Sequence, residues 1–219
     1  MGHRTFSANW SSGSDVLGVS PLILSFVGIV GGSNPLGQDI DVFNAGSPPG
    51  GSFPFTVVTD QTWLGAPASG NTDEMIAISV NTTGLVAGIY IGHVTIQDSL
   101  SPPTMESVLV TLTMLAPPTV MITATPSSIS AGGAVTLNWT TANATSASIN
   151  EGIGAVALNG NLIVFPSVTT VYTITATGPG GTANASVTVD AVASDAFISI
   201  QKLVLTLKQN AIPVRGRNK

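Results

Sequence analysis

The chain has no cysteine, very little charge and, between Thr5 and Gln201, no lysine or arginine. Without cysteine there are neither disulfides nor thiolate metal sites. Only 8% of the 219 residues are charged, against about a quarter in an ordinary soluble domain. Solvation falls to Thr, Ser, Asn and Gly, and faces so short of ion pairs suit a protein partly covered by neighbours. Imidazole chemistry has two candidates, His3 and His93. No run approaches the roughly 20 apolar residues that span a bilayer. The best, from Pro21 to Gly32, is broken by glycine and reads as a strand and the turn after it. Met1-Gly2-His3-Arg4-Thr5-Phe6-Ser7 has no apolar signal core, which points to a chain made in the cytoplasm or one whose leader was removed.

The charges that exist are segregated. All eleven carboxylates lie from Asp15 to Asp195, and the basic residues are Arg4, Lys202, Lys208, Arg215, Arg217 and Lys219. An acidic body with a basic tail favours head-to-tail docking or attachment to an acidic partner. Hydrophobic residues make up 43% of the chain, enough for a real core, and the length fits one large domain or two small ones.

Short apolar, β-branched runs alternate with turn chemistry. Strands are predicted at 22–30, 39–44, 55–59, 75–81, 88–97 and 106–115, separated by Gly31-Gly32, Ser47-Pro48-Pro49-Gly50-Gly51, Ser69-Gly70-Asn71 and Ser101-Pro102-Pro103. Ala116-Pro117-Pro118 reads as a linker, since neither proline can donate to a ladder. A second series follows at 121–124, 134–140, 147–149, 162–165, 171–177 and 183–189, with Asn159-Gly160 as a tight turn. Val171, Thr173 and Thr175 should face away from Tyr172, Ile174 and Ala176. Spacing of this kind without helical periodicity predicts an all-β protein of two β-sandwiches. Residues 1–19 read as an N-terminal arm, 20–116 and 117–192 as the sandwiches, and 193–219 as a C-terminal strand and basic tail. In that last segment Phe197 to Lys208 is strand-like, with Ile198 and Ile200 in one phase and Leu203, Leu205 and Leu207 in the other.

Residues 20–115 resemble the BACON-like immunoglobulin-type modules of bacteria and their phages. The matching residues are Leu24-Ser25-Phe26, Asn44-Ala45-Gly46, Trp63-Leu64, Ile78-Ser79-Val80, Gly88 to Ile96 and Val108 to Thr113. Residues 117–192 resemble a second bacterial Ig-like module through Ala124-Thr125-Pro126, Ala131-Gly132-Gly133, Val135 to Trp139, Gly152-Ile153-Gly154, Thr169 to Ala176 and Gly180-Gly181-Thr182. The resemblance implies tandem immunoglobulin-like sandwiches with extended arms. Such modules serve as spacers, adhesins and virion decorations, so it is specific for fold and not for role.

Reactive chemistry is poorly provided for. His93 lies in a predicted strand and reads as a satisfied or solvent-facing residue, His3 sits in the arm, and no Gly-x-Ser-x-Gly elbow is present. Asp39 with Asp41, and Asp73 with Glu74, are too sparse for the six to eight oxygens of a calcium site, so solvated carboxylates are expected. Trp139 should be a core residue and Trp63 should pack in the core or between strands, leaving Trp10 as the freest aromatic. No catalytic, cofactor or metal site is assigned. Partner binding is assigned to Phe6 and Trp10 in the arm and to Lys202, Leu203, Leu205, Leu207, Lys208, Arg215, Arg217 and Lys219 in the tail. Exposed ion pairs contribute only about 0.2–1 kcal/mol each, so the leucines would supply most of the affinity. Nucleic acid is disfavoured, because the body repels phosphate and no aromatic interleaves with the basic residues. These features imply a non-enzymatic decoration or cement subunit on a bacteriophage particle, bound to copies of itself or to a major capsid protein. The alternatives are a bacterial surface or secreted module, adhesive or glycan-binding, and a self-assembling extracellular filament.

Overall fold

The computed structural model describes residues 15–46, 51–193 and 206. The chain divides into two compact units, Met1–Ala116 and Pro117–Lys219. The first holds nine strands: β1 (Leu17–Ser20), β2 (Ile23–Ile29), β3 (Gln38–Asn44), β4 (Pro54–Thr59), β5 (Leu64–Gly65), β6 (Ser69–Asn71), β7 (Glu74–Val80), β8 (Gly88–Asp98) and β9 (Met105–Leu115). They form two sheets, ordered β1-β3-β7-β5 and β2-β9-β8-β4-β6. Pro21 stands between β1 and β2 and has no N–H to give a ladder. There the chain leaves β3, its antiparallel partner, and crosses to the other sheet, where β2 runs parallel to β9.

Period-two alternation builds the core between these sheets. Leu24 and Phe26, Ile40 and Val42, Ile76 and Ile78, Val94 and Ile96, and Val108, Val110 and Leu112 all point inward and are buried. Each such side chain stabilises the fold by about 1.5–3 kcal/mol relative to exposure.

The second unit repeats the plan with β10 (Thr119–Thr125), β11 (Ser128–Ser130), β12 (Val135–Ala142), β13 (Ser146–Ile149), β14 (Gly154–Val156), β15 (Gly160–Val164), β16 (Thr170–Gly178) and β17 (Gly181–Val192). Its sheets are β10-β12-β15 and β11-β17-β16-β13-β14. Again the opening strand pairs antiparallel in one sheet, passes a proline, Pro126, and lies parallel to the last strand in the other. Tyr172, Ile174 and Ala176 are buried, as their phase in β16 requires. Ile122, Val135, Leu137, Trp139, Ile149 and Val189 complete this core.

Two expectations need correction. Residues 17–19 are not arm: β1 is a strand, with Leu17 and Val19 in the core. Gly18, which resembles loop sequence, leaves room for the Phe43 ring, which a β-carbon there would approach to 2.5 Å. Asn159-Gly160 is not a tight turn, since Gly160 opens β15 and pairs with Trp139. The left-handed turn lies earlier, at Glu151 (φ 56°) and Gly152 (φ 75°) between β13 and β14, with Gly154 (φ 80°) opening β14. The strand expected at 197–208 lies outside the described residues except at Thr206, whose backbone is helical.

Gly160 is small because the Trp139 indole covers it; a β-carbon would stand 3.0 Å from Cζ2. Gly160→Ala should therefore destabilise the second unit by about 1–3 kcal/mol through overpacking. A denaturant midpoint unchanged from the parent protein would show that the indole can move aside.

Candidate functional site

Every residue assigned to partner binding from sequence (Phe6, Trp10, Lys202, Leu203, Leu205, Leu207, Lys208, Arg215, Arg217 and Lys219) lies outside the described residues. Two tryptophans are placed. Trp63 is buried and meets Tyr90 edge to face, with ring centroids 6.3 Å apart. Trp139 is buried as well, and its Nε1 donates to the Ala157 carbonyl at 2.8 Å. It sits on β12, which pairs with the opening strand of its unit, and not on the strand that carries the core tryptophan of antibody domains. Neither indole offers a free face to a sugar.

The carboxylates are scattered. Asp39 and Asp41 point outward from β3, and Glu74 Oε2 accepts from the Asn71 amide at 3.1 Å. Among the described residues no three His, Cys, Asp or Glu side chains converge on a metal-sized space.

His93 has a partner, Asp60. The His93 amide donates to Asp60 Oδ1 at 2.7 Å, its ring Nδ1 lies 3.0 Å from Oδ2, and the Asp60 amide donates back to the His93 carbonyl at 3.2 Å. The pair straps the loop after β4 to β8. The His93 amide, followed by its ring, holds the Asp60 carboxyl below the ordinary aspartate value. Two members of a catalytic triad are thus in contact, yet no hydroxyl is bonded to the ring among the described residues. Both side chains are about half exposed, so His93→Ala should change stability by less than about 1 kcal/mol. Because the backbone amide survives that substitution, the Asp60 titration followed by carbon-13 NMR should stay below the ordinary value. Full return to it would mean that the ring, and not the amide, holds the carboxylate.

The feature of this sheet that sequence reading missed is its outer face. Side chains of β2, β9, β8 and β4 in the outward phase form cross-strand rows: Ile23–Leu109–His93, Ser25–Thr111–Ile91 and Val27–Thr113–Ile89. Ile23, Val27, Val58, Ile89, Ile91 and Met105 are each more than half exposed. Asp60 and His93, held together, are the acid and base beside it; the outward carboxylates Asp39 and Asp41 belong to the opposite sheet. The signal was available. In β2 and the first half of β8 both phases are apolar, as in strands covered on two faces. The matching face of the second unit is hydroxyl-rich instead, with Thr173 bonded to Ser186 at 2.8 Å and Asn184 opposite Thr175.

The Tyr90 hydroxyl decides the fold comparison. It accepts from the Val86 amide and donates to the Val86 carbonyl, both at 3.1 Å. A tyrosine near the start of its strand, tied to backbone a few residues upstream, is the corner found in immunoglobulin sandwiches. The fold is immunoglobulin-like. Several solved structures are similar to this chain at low identity. Protocadherin gammaB7 EC3-6 in its cis-dimer structure is 13% identical, with 81% of this chain and 48% of that one covered and a TM-score of 0.45. Mouse Cadherin-23 EC22-24 is 16% identical, covering 80% and 65%, with a TM-score of 0.44. The amphioxus IgVJ-C2 molecule is 14% identical, covering 64% and 88%, with a TM-score of 0.34. This chain spans about half of the protocadherin and of the four-domain Dscam1 structure, where coverage is 47%. No family model and no curated protein matches. Among the described residues no helix is long and apolar enough to cross a membrane.

Proposed function

We propose that this chain is a non-enzymatic structural protein, a pair of Ig-like modules displayed on a bacteriophage particle as a decoration or cement subunit. The observation that carries the interaction role is the apolar outer face of the first unit, where Ile23, Val27, Ile89 and Ile91 meet solvent. An apolar β-face of that extent marks a surface that other protein covers. Three further features support the particle: the BACON-like resemblance of residues 20–115, a body without lysine or arginine from 6 to 200, and basic residues gathered at the C-terminus. The terminal segments would attach to the shell, with the leucines of 203–207 supplying affinity and the basic groups supplying register. The glycan-binding alternative loses support from Trp63 and Trp139, since both indoles are buried.

The test is occupancy on the particle. Virions purified from the source and probed with antiserum should carry the full chain, and a chain lacking residues 196–219 should occupy them at least tenfold less. Undiminished occupancy removes the tail from the mechanism, and particles without the full chain overturn the reading.

A further inference from the structure

We infer that the outer face of the β2-β9-β8-β4 sheet is a self-association surface whose occupant is the same face of a second copy of this chain. The inference deepens the interaction-module reading and rests on it, but it does not depend on attachment to a particle. Size comes first. The two 11-residue strands β8 and β9, flanked by β2 and β4, cover roughly 600 Å² in plan at about 3.4 Å per residue and 4.8 Å between strands. Side-chain relief raises the accessible area above the plan area. A stable interface draws about 800 Å² from each partner, so one such face against another, wholly covered, comes near the requirement.

Charge selects the partner. Two copies of an acidic body repel each other wherever carboxylates face outward, as Asp39 and Asp41 do on the opposite sheet. On the β2-β9-β8-β4 face this repulsion is weakest, because Asp60, beside it, is the one carboxylate in the outward phase of these strands. A basic partner would be drawn to the more acidic sheet instead, and an apolar face with so little charge suits another like itself. Relief is also compatible: Ser25, Thr111 and Thr113 leave hollows between the Ile23, Ile89 and Ile91 ridges. Two such faces can interdigitate as stacked sheets do, about 10 Å apart.

The full-length chain should run as a dimer in sedimentation velocity at tens of micromolar and dissociate on dilution. Ile91→Lys, at a side chain 58% exposed in the middle of the face, should weaken association at least tenfold. Met121→Lys, equally exposed but in the second unit, should leave it unchanged. Should Ile91→Lys lose its cooperative thermal transition, Val27→Lys takes its place. A wild-type chain that stays monomeric up to about millimolar concentration overturns the inference, as does a Met121→Lys effect matching that of Ile91→Lys. Loss of particle occupancy with dimerisation intact would count against the decoration role alone.

Discussion

Trp139→Ala should remove a large part of the second unit's stability while the first stays folded. Large-to-small substitution of a buried aromatic costs about 3–5 kcal/mol, and a whole domain is stable by only about 5–15 kcal/mol. This site cannot relax to soften the loss. The indole packs on Gly160, which has no side chain to swing into the space, and its Nε1–H is the described partner of the Ala157 carbonyl. Truncation therefore opens a cavity and strips a hydrogen bond from the loop that leads into β15. The second core is also modest, resting on Ile122, Val135, Leu137, Ile149, Tyr172, Ile174 and Val189 besides the tryptophan. Amide exchange gives the readout. Protection should fall at Leu137 and Ile174 and persist at Val94 and Val110 in the first unit. Retained protection at Leu137 would mean that neighbouring side chains refill the cavity.

Sequence revealed the longer strands, such as β7, with Ile76, Ile78 and Val80 inward, and two short ones, β13 and β15. Other short strands were hidden. β5 is two residues long, and β1 is four residues interrupted by a glycine that exists for the sake of Phe43, 25 positions away. Long-range need of this kind leaves no local trace. The same holds for the asparagines that pin the loops where a richer sequence would use ion pairs. Asn34 Oδ1 accepts from the Thr82 amide at 2.9 Å and from its hydroxyl at 2.8 Å. Asn150 Oδ1 accepts from the Thr173 amide at 2.7 Å while its Nδ2 donates to the Val171 carbonyl at 3.0 Å. In sequence these residues read only as turn formers. The candidate interaction face was hidden for a different reason. An apolar residue in the outward phase looks like core until the partner sheet is known to lie on the other side.

Asp98→Ala should cost about 1–3 kcal/mol, because it leaves three part-buried donors without their acceptor. Asp98 closes β8, and its carboxylate organises the turn to β9. Oδ1 accepts from the amides of Leu100 and Thr104, both at 3.0 Å, and Oδ2 accepts from the Thr104 hydroxyl. The side chain is only 4% exposed. Burial alone would push this carboxyl up. The Thr104 hydroxyl, the Thr104 amide and the Leu100 amide together outweigh burial and hold it below the ordinary aspartate value. The direction fixes the pH dependence. With the folded pKa below the unfolded one, about 3.9, the unfolded chain binds more protons in the interval between them. The contribution is complete above the unfolded value and is lost as pH falls through the folded one. Asp98→Asn separates the two roles of the group. Its amide oxygen can still accept from Leu100 and Thr104, and its NH2 can donate to the Thr104 hydroxyl, so at neutral pH it should be the milder substitution. Denaturant midpoints measured downward from pH 6 should fall less steeply below pH 4 in Asp98→Asn than in the parent. Parallel curves would mean that the acid sensitivity of this hairpin comes from another carboxylate, with Glu106, on the facing strand, the first to replace.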